Sequence, residues 1–100
     1  MSSFAAPSAP AISVHVSGPL RDFCGGASRI ALAAADVRAA LTGLERDHAH
    51  LYVGVCDETG AVRRHINLFV NESHIRDLAG LDTAFAPGDV LTILPAVSGG

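Results

Sequence analysis

Apolar and polar positions alternate from the start of the ordered pattern: Ile12, Val14 and Val16 are set against Ser13, His15 and Ser17, the period-two signature of a strand with one buried face. Gly18-Pro19 ends this run. Leu20 to Gly26 carries a Gly25-Gly26 break, and Ser28 to Leu32 resumes the alternation with Ile30 and Leu32 on one side, so the two strands are expected to form a hairpin. The period then changes. Behind Asp36, a suitable N-cap, Val37, Ala40, Leu41, Leu44 and His48 fall at helical spacing and predict a helix with one apolar stripe. Gly43 costs that helix about 1 kcal/mol relative to alanine without breaking the stripe.

Leu51 to Cys56 reads as an extended segment, turned at Asp57-Glu58-Thr59-Gly60 into Val62 to Asn71. Within that second run Ile66, Leu68 and Val70 alternate with Asn67, Phe69 and Asn71. Asn71-Glu72-Ser73 reads as a turn, Ile75 to Phe85 as irregular or short 3₁₀ structure, and Pro87-Gly88-Asp89 as a tight turn launching Val90 to Leu94. Pro95 is expected to stop this last strand.

The order is strand, strand, helix, strand, strand, and Leu91 and Ile93 of the last strand can both be buried only in the middle of the sheet. That pattern predicts an α+β fold of the β-grasp, ubiquitin-like kind, a mixed sheet packed on one main helix with the last strand parallel to the first. Residues 11–95 form the domain in this reading. Met1 to Pro10, rich in Ser, Ala and Pro, reads as a flexible N-terminal arm. Residues 96–100 leave as a flexible tail ending in Gly-Gly, able to reach roughly 17 Å when extended.

Composition narrows the function. With 49% hydrophobic and 17% charged residues, the 100-residue chain is compact rather than disordered, but too short to add a large substrate cavity to its core. Function is therefore expected at the surface or at an end. The formal net charge of −3 sets ten carboxylates against seven arginines, which are scattered apart from Arg63-Arg64, so no basic stripe addresses nucleic acid. A mildly acidic surface favours basic protein partners. No run approaches the ~20 apolar residues of a membrane span, and the N-terminus lacks a basic start and an apolar signal core, so a soluble, cytoplasmic protein is expected. Cys24 and Cys56 form no CxxC pair; they are expected to be buried reduced thiols, with no metal site.

The chemistry concentrates in Val97-Ser98-Gly99-Gly100. Gly99 and Gly100 have no side chains, so the terminus can pass a constriction closed to other residues. Its carboxylate is ionised at neutral pH and is a poor electrophile until activated, for which adenylation by ATP is the standard solution. The activated carbonyl of Gly100 could then accept sulfur, giving a thiocarboxylate, or a lysine amine, giving an isopeptide. Terminal glycines also occur simply as flexible ends.

Pro87-Gly88-Asp89-Val90, the apolar strand, Pro95, the small residues and Gly99-Gly100 together resemble the C-terminal signature of the MoaD/ThiS family of ubiquitin-like sulfur carriers. Phe69-Val70-Asn71, Ile75-Arg76, the segment Gly18-Pro19-Leu20-Arg21-Asp22-Phe23 with Gly25-Gly26, and the helix from Asp36 to Leu51 fit the same family, so the likeness covers nearly everything after Pro10. The resemblance implies that an E1-like enzyme spends ATP to adenylate Gly100, that a sulfur donor makes the thiocarboxylate, and that a partner enzyme takes the sulfur. The chain itself would be no enzyme and would bind no cofactor. Leu94, Pro95, Ala96, Val97, Ser98 and Gly99 would contact these partners. The acceptor expected first is a molybdopterin synthase large subunit, in molybdenum cofactor synthesis, although Pro95-Ala96-Val97-Ser98 departs from the Pro-Pro form usual there. The alternative acceptor is a cysteine synthase or another thio-metabolite enzyme, and the extra segment from Tyr52 to Arg64 is closer to these longer carriers. A ubiquitin-like modifier forming isopeptide bonds and a plain interaction domain are the functions of a different class that the same residues permit.

Leu94 reads either as an exposed docking residue beside the tail or as packing at the edge of the core. His48 and His50 suit a helix end and solvent better than a zinc site. Arg63-Arg64-His65 could meet an adenylate or an acidic partner, or simply protect a strand edge by charge. Asp57 and Glu58 are assigned no chemistry.

Overall fold

A computed structural model describes residues 9–18, 20 and 28–95. Strand β1 (Ala11–Val16) buries Ile12, Val14 and Val16 on one face, as the alternation requires, and pairs antiparallel with β2 (Arg29–Ala33). The hairpin between them is therefore present. Its connecting residues 21–27, with the Gly25-Gly26 break and Cys24, fall outside the described residues, as do residues 1–8 of the arm. Pro10, expected in that arm, is already tied to the domain, its carbonyl accepting from the Ala34 N–H at 3.0 Å.

Helix α1 (Val37–Asp47) starts where the cap signal places it: the Asp36 carboxylate accepts from the Ala39 N–H at 2.8 Å. Val37, Ala40, Leu41 and Leu44 form its buried stripe. Gly43 faces β2, where a Cβ would sit 2.9 Å from the movable end of the Leu32 side chain. The chain breaks at His48 and resumes as α2 (Ala49–Val55).

This second helix corrects the extended segment expected from Leu51 to Cys56. Val53, Val55 and Tyr52 favour a strand locally, but Leu51 and Val55 lie four residues apart, and as a helical pair both are fully buried beneath the sheet's covered face. Tertiary packing overrides propensity here. Cys56 then bridges to Val62 around a turn in which the Asp57 carboxylate accepts from the Thr59 N–H, the Thr59 hydroxyl and the Ala61 N–H. These bonds hold the Asp57 carboxyl below its ordinary range, the Thr59 hydroxyl contributing most. The following strand is shorter than expected: β3 spans Ile66–Val70 rather than starting at Val62, because Arg63 turns away to donate its N–H to the Val55 carbonyl.

A tight turn at Asn71, whose φ is 55°, leads to the two-residue strand β4 (Ser73–His74). Two 3₁₀ turns follow, Ile75–Asp77 and Gly80–Asp82, in the region expected to be irregular. Buried Thr83 fastens this region. Its hydroxyl accepts from the Ala79 N–H and donates to the Gly80 carbonyl, while its own carbonyl accepts from Val37 at the start of α1.

The last strand, β5 (Val90–Pro95), lies between β1 and β3, parallel to the first and antiparallel to the second, in a sheet ordered β2-β1-β5-β3-β4. Leu91 and Ile93 are 0% exposed. This is the β-grasp fold, with the core between one sheet face and the two helices.

Candidate functional site

The start of β5 is held by a network of short polar contacts. The Asp89 carboxylate accepts from the Ala86 N–H at 2.9 Å and from the Asn71 side-chain amide at 3.2 Å. Asn71 completes the clasp: its side-chain oxygen accepts from the Val90 N–H at 3.0 Å and its own N–H donates to the Val90 carbonyl at 2.7 Å. The Ala86 N–H, then the Asn71 amide, hold the Asp89 carboxyl below the usual carboxylate range. Gly88, at φ 88°, allows the turn and donates to the Ala11 carbonyl, so the strand enters in register with β1. Asp89 and Asn71, which the sequence placed in two separate turns and which the family likeness also picked out, thus share a physical role, which is to aim β5.

At the other end, Leu94 pairs with Asn67 and Pro95 with Ile66. Pro95 does not stop the strand before itself, as expected, but closes it. A residue without an N–H is tolerated at a strand end, where no further ladder bond is required. Leu94 and Pro95 are both half-buried. Ala96, Val97, Ser98, Gly99 and Gly100, expected to carry the chemistry, lie outside the described residues.

Leu94 belongs to the sheet face away from the helices. There one register row crosses all five strands through Arg29, His15, Thr92, Phe69 and His74, with Asn67 and Leu94 in the next row toward the tail. The Phe69 and His74 rings meet edge to face, their centroids 5.1 Å apart. The Arg76 backbone N–H donates to His74 Nδ1 at 3.1 Å, so the other ring nitrogen, Nε2, carries the proton and donates to Asn67 Oδ1 at 3.0 Å. Sequence periodicity places Asn67 and Phe69 on one face but misses His74, because a two-residue strand leaves no period to detect.

The remaining candidates divide. Arg63 Nε donates to the Val53 carbonyl at 2.8 Å and is structural, whereas Arg64 and His65 are exposed in the turn before β3, beside the strand end that carries Pro95. His48 is the junction between the helices and His50 is exposed, and neither joins a group of three or more metal-ligating side chains among the described residues. Cys56 is a free, buried thiol, pushed up chiefly by burial and next by the charge of Asp57, so it is a poor nucleophile. No described helix is long and apolar enough to cross a membrane.

The comparisons with known proteins agree with this geometry. The model of the ThiS family matches residues 14–100. The sulfur carrier protein CysO of Mycobacterium tuberculosis is 33% identical over 91 residues, covering 89% of this chain and 98% of that protein. A chain of the Amycolatopsis orientalis BexX/CysO complex superposes with a TM-score of 0.79 at 34% identity, over 89% of this chain and 99% of that one. The small archaeal modifier protein 1 of Methanosarcina acetivorans superposes with a TM-score of 0.80 at 29% identity, over 95% of this chain and all of its own, 100%. A family match over this span, on a sheet whose central strand ends at Pro95, means that the chain belongs to the ThiS family of ubiquitin-like sulfur carriers.

Proposed function

We propose that Gly100 is the reactive residue and that the carrier delivers its sulfur toward cysteine. An E1-like enzyme joins the Gly100 carboxylate to the α-phosphate of ATP, releasing pyrophosphate. Sulfide then attacks the carbonyl carbon and AMP departs, leaving a thiocarboxylate. If the donor is a persulfide, the attack gives an acyl disulfide, whose S–S bond a second thiol cleaves, forming a disulfide with the donor and releasing the same thiocarboxylate. A partner enzyme takes that sulfur, so the chain acts as co-substrate and performs no catalysis itself.

The observation that carries this reading is the position of β5. The strand lies at the centre of the sheet with Leu91 and Ile93 fully buried, and it ends at Pro95, five residues before Gly100. A short extended tail rooted there can place its terminus roughly 17 Å from a rigid base, inside a partner's active site. On the face it leaves, Thr92, Leu94 and Phe69 provide a half-buried docking surface for the enzymes that read the tail.

CysO relatives at 33% identity support the cysteine alternative over the molybdopterin pathway expected first from the sequence. The likeness to an archaeal modifier protein supports a second reading, attachment through an isopeptide bond. The absence of lysine from this chain bars it from polymerising on itself through side-chain amines, leaving single attachment to another protein.

Incubation with ATP, an activating enzyme and sulfide is expected to raise the intact mass by the difference between sulfur and oxygen, and deletion of Gly100 is expected to abolish the gain. A gain that survives the deletion, or no adenylate at all, overturns the carrier reading. Supplied with an activated serine and a cysteine synthase, the thiocarboxylate should be consumed with formation of cysteine; consumption only by a molybdopterin synthase large subunit would reverse the pathway assignment.

A further inference from the structure

One edge of the sheet is incomplete. Strand β3 pairs with β5 along its whole length, but β4 covers only Phe69 and Val70 on its other side, so Ile66 to Leu68 have no strand beside them among the described residues. The 3₁₀ turn Ile75–Asp77 packs beside β3 without extending its ladder. A groove of about 450 Å³ remains, walled by Ala61 to Arg64 on one side and by Ile75, Arg76, Gly80 and Leu81 on the other. Its apolar positions with surface left to offer are Val62 and Leu81, which are only partly buried against the core.

The charge of this groove is opposite to that of the chain. The chain carries a formal −3, yet Arg63, Arg64, Arg76 and His74 line the groove and no carboxylate does. The ion pairs among the described residues are Arg38 with Asp82 and Arg46 with Asp47, so Arg64 and Arg76 enter neither. Both are exposed. Arginines at an open strand edge discourage random pairing, but they also favour one class of pairing partner, a strand that carries carboxylates.

We propose that this groove docks an extended acidic segment of a partner protein as a sixth strand beside Ile66–Leu68. Main-chain bonds to the part of the edge left free, the Ile66 N–H already donating to the Arg63 carbonyl, supply affinity, and alternate side chains supply selectivity: an apolar residue meets Val62 and Leu81, while its neighbours present carboxylates to Arg64 and Arg76. Because Ile66 pairs with Pro95, a segment docked here lies next to the strand end from which the tail departs, which would hold that partner beside the reactive terminus. The inference stands on the groove and its charge and does not depend on the chemistry of Gly100.

The test is a titration of the ¹⁵N-labelled full chain with the peptide acetyl-Glu-Val-Asp-Leu-Glu-Val-amide and with its counterpart bearing lysine at the acidic positions. The acidic peptide is expected to shift the amides of Ile66 to Leu68 and His74 to Arg76 saturably, with affinity falling as salt rises. Arg64→Glu combined with Arg76→Glu should weaken it about tenfold. Arg64→Ala with Arg76→Ala, which introduces no repulsion, should weaken it less, and both variants should keep the native spectrum elsewhere. The proposal is overturned if no amide saturates, if the lysine peptide binds equally, or if the shifts follow Arg29–Ala33 at the opposite edge. It is overturned as well if the same amides move on dilution without peptide, which makes a second copy the occupant, or on deletion of residues 96–100, which makes it the chain's own tail.

Discussion

The two faces of the sheet are built from the same strands and do different work. On the covered face Leu68, Leu91 and Ile93 are almost wholly withdrawn from water against α1 and α2; on the other face Asn67, Phe69, Thr92 and Leu94 stay half-buried. Because side chains alternate along β5, every covered residue has a neighbour that is available to a partner. The strand that anchors the fold therefore also presents a half-buried face at the end from which residue 96 continues, so rigidity and an accessible face come from one segment rather than from two domains. A 100-residue chain with one core has little other room for both.

That contrast can be broken most severely from the covered side. Ile93→Ala removes a fully buried side chain at the centre of the sheet and should cost about 2–5 kcal/mol, read by denaturant unfolding. A loss well below that range would mean that the core repacks around β5 and that the strand is not the rigid base assigned to it.

A smaller effect tests the clasp that aims the strand. Asp89 has its folded-state carboxyl held low by the Ala86 N–H and the Asn71 amide. A depressed carboxylate contributes stability that is fully present above the unfolded-state value and is lost as pH falls through the folded one. Stability should therefore decline below about pH 4. Asp89→Asn should lower stability at neutral pH and flatten that decline; an unchanged acid slope would remove Asp89 from the account.

The smallest effect on stability lies on the open face. Leu94→Ala should change unfolding free energy by less than about 1 kcal/mol, since its side chain is only half-buried, while slowing thiocarboxylate formation with the activating enzyme. Equal losses in Leu94→Ala and Ile93→Ala would erase the difference between the faces.

Local pattern carried most of the fold. The alternation at Ile12, Val14 and Val16, the cap at Asp36, and the burial demanded by Leu91 and Ile93 were enough to order the elements and to put the last strand in the middle, because each signal concerns a residue and its near neighbours in the chain. The tail was legible only as residue type and position, two residues without side chains at the end of the chain, and its proposed chemistry rests on the family resemblance. What could not be read locally depended on contacts between distant segments. Leu51 to Cys56 has the composition of a strand and became α2 once Leu51 and Val55 could both reach the core. The clasp joins Asn71 to Asp89 across 18 positions, and the basic groove joins Arg64 to Arg76 across a gap left by a strand two residues long. The sequence by itself determined which residues need burial and which end carries two residues without side chains, since hydrophobicity and residue type are properties of the residues themselves. Only the tertiary structure decided which polar residues meet, where the sheet stays open and what sign of charge gathers there, since those depend on distances that no local period encodes.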